Sequence, residues 1–170
     1  MTGFIPEQSG TIHIPYFEDA NADIGIQGHG THKSVGQLQD EIRTNMGRLG
    51  AAVIGFTPGS FPGRTQRYGW RVEFMFGGQR GRIDVAALPI QSETAKKKDQ
   101  AIRQALYNIN ESVKAQYMLT LLSPGAVPLL PYLLVAGTDK TVSQALQEQY
   151  DLPILGEHPE LHLLEGEIVD

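Results

Sequence analysis

Residues 68–76 leave this chain little conformational freedom. Tyr68, Trp70, Val72, Phe74 and Phe76 fall on one face of an extended strand, and Arg67, Arg71 and Glu73 fall on the other. Five large apolar or aromatic side chains at a period of two mark a half-buried antiparallel strand, because helical spacing would scatter them around a cylinder. Gly77-Gly78 follows, a pair free to take positive φ in a tight hairpin turn. Residues 82–88 then alternate again, with Ile83, Val85 and Ala87 opposed to Arg82 and Asp84, before Pro89 stops the pairing. Upstream, residues 51–57 read as a buried strand ended by Pro58-Gly59. The expectation is a three-stranded meander.

Such a sheet cannot bury an aromatic face alone. Helices that could cover it flank it on both sides. Ser34 and Gln37 have capping-box spacing, and Val35, Leu38, Ile42, Met46 and Leu49 follow at three- and four-residue steps up to Gly50. A long helix is expected over about residues 94–122, where Ile102, Leu106, Ile109, Val113, Tyr117 and Leu121 recur before Ser123-Pro124-Gly125 breaks the pattern. A short helix over 141–150 would bury Val142, Ala145, Leu146 and Tyr150. The fold class is therefore α+β, in the order helix, three strands, long helix, short helix, with arginines on the open sheet face.

At 170 residues the chain has room for one core. We divide it into an N-terminal arm (1–33), in which residues 11–17 alternate like a short edge strand, a single α+β domain (34–155) and an acidic tail (156–170). No apolar run reaches the roughly 18 residues of a membrane helix, and the first residues lack the basic and apolar regions of a secretory signal. Zero cysteines exclude disulfides, thiol catalysis and cysteine-ligated zinc. A soluble cytoplasmic protein is expected.

Charge is segregated along the chain. The net charge of -5 divides into -4 over residues 1–32, +6 over 33–114, which hold 13 of the 14 basic residues, and -7 over 115–170. A basic middle between acidic ends bears on polyanion binding and association rather than on fold. On the long helix, Lys96, Arg103 and Lys114 fall within roughly 20° of one another along a line of about 27 Å, with Lys97 and Lys98 at one end. Together with Arg67, Arg71, Arg80 and Arg82 of the sheet they form a surface able to follow a phosphate backbone.

Motifs for chemistry are sparse. The GHGTH segment at 28–32 is similar to the histidine motif of subtilisin-like proteases, yet no matching aspartate or serine element accompanies it, so a glycine-rich turn before a helix is the better reading of His29. His158 and His162 have metal-ligand spacing but lie in the acidic tail without the pattern of a zinc protease. Glu73 and Asp84 on adjacent strands could hold a divalent ion for nuclease chemistry, but Arg71 and Arg82 beside them argue for cross-strand ion pairs. Gly77–Gly81 joins two strands and lacks the strand-to-helix context of a phosphate loop. No cofactor or metal is implied.

Ile42, Leu49-Gly50-Ala51, Phe56, Phe74, Leu88-Pro89, Arg103-Gln104-Ala105-Leu106, Val113-Lys114-Ala115, Leu130-Pro131 and Thr141-Val142 are the residues by which the chain resembles a group of uncharacterised bacteriophage- and plasmid-associated proteins, over about residues 34–150. The resemblance implies a shared fold and a mobile-element origin, and brings no active site. The leading expectation is a non-enzymatic, sequence-tolerant nucleic-acid-binding protein, preferring single-stranded DNA, that serves a phage or mobile element. The alternative is a protein–protein interaction or assembly factor, acting through the sheet edge, the arm and the proline-rich segment 127–134, with a protein partner or as a homo-oligomer. A metal-dependent nuclease comes third. A continuous positive groove would favour the first, and a mixed surface with an apolar patch the second.

Overall fold

The computed structural model describes residues 14–20, 26–62 and 66–150. Helix α1 (Val35–Arg48) opens with the capping box read from the sequence: the Ser34 hydroxyl accepts from the Gln37 amide, and the Gln37 side chain accepts from the Ser34 amide. It stops at Gly50, whose φ of +84° a side chain would oppose. Strands β1 (Ala51–Phe61), β2 (Arg67–Phe76) and β3 (Gln79–Ala86) form an antiparallel sheet in the order β1-β2-β3. Gly77 and Gly78 both take positive φ in the turn between β2 and β3, the two-residue geometry that matches strand twist. Helix α2 (Ala95–Leu122) is capped by the Thr94 hydroxyl, which accepts from the Lys97 amide. A short α3 (Val142–Tyr150) follows, Thr141 and Gln144 capping it reciprocally. The fold is α+β, as the alternation and helical periods require.

Both long helices lie on the aromatic face. Leu38, Ile42 and Met46 of α1 and Ala101, Ala105, Leu106, Ile109 and Val113 of α2 enclose Trp70, Val72 and Phe74 in one core. Phe74 packs its ring over Gly81 on the neighbouring strand, where any Cβ would collide with it. That close approach explains the glycine in the middle of β3. A polar relay crosses the helix interface: Asn45 donates to Asn110 (2.7 Å), Asn110 donates to Glu41 (2.9 Å), and Lys33 holds Glu41 (2.7 Å). Buried amides paired in this way fix the register of α1 on α2, since any slide would orphan them.

The expectations differ from the structure in four places. β1 runs through Pro58-Gly59 to Phe61, because its far side has no strand neighbour among the described residues and a proline costs an edge strand little. The described part of the 11–17 alternation is not a strand. Phe17–Asp19 instead forms a single 3-10 turn that buries Phe17 and carries Glu18 onto the amides of Gln91 and Ser92. Leu121 continues the helical period but is exposed, because α2 outruns the sheet. α3 buries none of its residues, and Leu146 and Tyr150 face solvent. Its anchor is polar: the buried Arg82 reaches Gln144 (3.2 Å) and Asp139 (3.0 Å).

Candidate functional site

The basic residues expected to line a phosphate track are spread over two faces, and most are engaged. On the open sheet face Arg71 grips Asp84 through two hydrogen bonds of 2.8 and 3.0 Å, which hold its guanidinium above the ordinary value. Arg80 lies 3.4 Å from Glu73, and Arg82 touches Asp84 and Asp139. Arg67 is turned along the end of the sheet onto the carbonyls of Ala87 and Ala86, and burial lowers its pKa. Three arginines thus meet three carboxylates on this face. Glu73 and Asp84, the candidate metal pair, are cross-strand ion-pair partners, and no group of three or more potential metal ligands occurs among the described residues.

The helical set is similarly occupied. Lys97 contacts Glu18 (3.1 Å) and the Ser92 carbonyl (2.9 Å), and Lys98 lies over the Tyr68 ring at 4.3 Å. Arg103 binds Asp99 (2.8 Å) and the Thr31 carbonyl (3.3 Å). Lys114 pairs with Glu111 (2.7 Å), which raises its pKa. Only Lys96 of this set is exposed with no partner among the described residues. Two of these pairs bring the acidic ends of the chain onto its basic middle: Glu18 from the arm and Asp139 from the last third. Among the described residues, charge that is segregated in sequence is mixed in space.

His29 has a structural role. Its ring stacks on Phe17 at 4.4 Å and lies within hydrogen-bond distance (3.1 Å) of the Phe17 carbonyl, while Gly28 takes a φ of +82° against the Tyr107 ring. The GHGTH segment is a turn that fastens the arm. His158, His162 and the acidic tail lie outside the described residues.

A different surface emerges at the far end of α2. Residues 115–138 contain no charged side chain, the longest such stretch in the chain. The last turns of α2 expose Met118, Leu119, Leu121 and Leu122, and the segment that follows exposes Val127 and Leu130. Between α2 and the proline-rich segment lies a groove of about 400 Å³, whose lining includes Ala115, Leu119, Val127, Pro128, Pro131 and Tyr132. Its wall is held by Leu129, which is fully buried and takes a left-handed φ of +62°. A leucine in that region is strained. Burial and the 2.8 Å bond from its amide to the Gln116 side chain hold it there, so that Val127 and Leu130 project outward. The proline-rich segment was an expected contact region. The α2 end was not, although the 24-residue charge-free stretch was legible as a signal.

No protein-family model, curated protein or solved structure matches this chain. Among the described residues, no helix is long and apolar enough to cross a membrane.

Proposed function

We propose that this chain is a non-enzymatic interaction protein that works by protein–protein contact through the uncharged end of α2 and the proline-rich segment. The observation that carries the reading is the exposure of Met118, Leu119 and Leu122 on one face of α2, with Leu119 and the exposed Val127 lining a preformed groove. Isolated exposed leucines are ordinary on a protein surface, whereas several on one helix face beside a groove favour a contact site. The mixed charge of the sheet face supports the same reading, since a phosphate track needs uncompensated cations. The resemblance of residues 34–150 to phage- and plasmid-associated proteins suggests a mobile element as its setting, and the lack of cysteine fits the reducing cytoplasm.

The first turn of α2 supports a second reading, as a nucleic-acid-binding protein. Among the described residues Lys96 has no partner and Lys98 is held by an aromatic ring alone, which leaves both available to phosphates. One experiment separates the two readings: a photo-crosslinking side chain placed at position 122 or at position 96 of the full chain in cells that express it. Protein adducts from position 122, with none to nucleic acid from position 96, are expected. Nucleic-acid adducts from 96 with no adduct from 122 would overturn the reading in favour of the second.

A further inference from the structure

The sheet face turned away from the helices has one bare patch. Gly59 and Gly69 stand directly opposite each other on β1 and β2, on the side that Trp70 and Val72 leave. Elsewhere this face is occupied: Arg71 is paired with Asp84, Arg80 with Glu73, and the buried Arg82 is tied to Gln144 and Asp139. The two glycines have different causes. At Gly69 a side chain would collide with the Phe61 ring and the Val85 carbonyl, so packing within the chain demands glycine. Gly59 has no such reason. Its φ is not positive, and a side chain there would meet no described atom within 4 Å. A glycine weakens a strand interior, and where neither backbone nor packing asks for one, it leaves the backbone open to close approach from outside. Above the pair lies a pocket of about 200 Å³, whose lining includes Thr57, Gly59, Phe61, Gly69, Arg71 and Asp84.

We propose that this pocket binds a single nucleobase. At about 200 Å³ it is smaller than the roughly 300–1,000 Å³ of a drug-sized site and suits one small ring system. Its walls divide as a base does. The Phe61 ring and the bare glycine backbone offer apolar contact for the face of a ring, the surface by which bases stack without regard to sequence. The polar edge is preset. Arg71 is held by its Nε and Nη2 bonds to Asp84, while its Nη1 makes no bond among the described residues and the Asp84 carboxylate has lone pairs to spare. A free donor beside a free acceptor matches the edge of a base, where a carbonyl or ring nitrogen lies next to an amino or imino group. A phenyl ring from a protein would leave both groups unpaired, and an indole the donor, which selects against them. Arg71 and Asp84 are the charged residues of the lining and offset each other, as a neutral ring requires. A cation for the attached phosphate stands at the rim: Arg67, opposite Phe61 in the register, meets the Ala86 and Ala87 carbonyls and no carboxylate among the described residues.

The test follows the backbone amides of the full-length protein by NMR during titration with nucleoside monophosphates, with a single-stranded oligonucleotide of about ten residues and, as a control, with N-acetyltryptophanamide. Mononucleotides are expected to shift the amides of Gly59, Gly69 and Arg71, with a dissociation constant on the order of 1 mM and little preference among bases. Gly59→Val fills the open space with a side chain that suits a strand, so it should hold or raise the melting temperature while weakening binding at least about tenfold. Phe61→Leu keeps apolar bulk over Gly69 but removes the ring, and should weaken binding by about as much. Tighter binding of the oligonucleotide at the same amides would mean that the base comes from a single strand, and equal affinity would assign the pocket to a free nucleotide. The pocket lies apart from the end of α2, so its failure leaves the interaction reading standing. No shift at these amides up to about 20 mM nucleotide, a folded Gly59→Val that binds like wild type, or N-acetyltryptophanamide binding as tightly as the nucleotides would each overturn the assignment.

Discussion

The two ends of α2 are built on opposite plans. Its first half is charged: Lys96, Lys97, Lys98 and Arg103 extend from it, and the arm answers two of them, with Glu18 on Lys97 and the Thr31 carbonyl on Arg103. Its last two turns carry no charge and, among the described residues, have no cover on their outer side. One continuous helical period runs through both, so periodicity alone does not distinguish an apolar residue that faces a core from one that faces water. The sheet decides. Val113 lies over it and is fully buried, whereas Leu121, two turns farther on, has passed its edge.

The largest effects should separate these halves by stability. Trp70→Ala or Leu106→Ala, beneath the first half, should cost about 3–5 kcal/mol, whereas Leu122→Ala should change the stability of the dilute protein by less than about 0.5 kcal/mol. Denaturant titration checks both, and a large loss at Leu122 would mean that the helix end is packed. Next in size is the amide relay. Asn110→Ala leaves Asn45 and Glu41 without their buried partner and should cost about 1–3 kcal/mol in the same measurement.

Acid should act on the charged half and not on the apolar end. Burial opposes ionisation of Glu18, but the amides of Ser92 and Gln91 and the Lys97 ammonium outweigh it and hold the carboxyl at about 2, below its ordinary 4.5. Its folded pKa is depressed, so its contribution is fully present above about pH 4.5 and is lost as pH falls toward 2. Thermal melts of wild type and Glu18→Gln should therefore differ at neutral pH, by about 1–2 kcal/mol, and converge near pH 2. A constant gap would place the effect in packing. The smallest effect belongs to the open sheet face. Arg71→Ala breaks a solvent-exposed pair with Asp84 and should cost less than about 1 kcal/mol.

Much of the fold was legible because its signals are local. The Ser34 capping box, the Gly77-Gly78 turn, the alternation of β2 and both ends of α2 depend on residues within a few positions of one another. The candidate site was less legible because its determinants are distant in the chain. Lys97 meets Glu18 from 79 residues away, and Arg82 meets Asp139 from 57. No inspection of the basic middle alone reveals those acids, and this is why a cationic track was expected where the surface is mixed. Segment 127–134 stood out by its prolines. The outer stripe of α2 beside it was hidden because Leu121 fits the core period and Met118, Leu119 and Leu122 lie off it.

Amide hydrogen exchange along α2, measured on the dilute protein, tests the central claim most directly. Amides of the enclosed stretch Leu106 to Val113 should be strongly protected, because that stretch is buried against the rest of the core. Those of residues 115–122 should exchange much faster. Equal and strong protection of both halves in the dilute monomer would show that the apolar end is covered by its own chain, and would contradict its role as a contact surface.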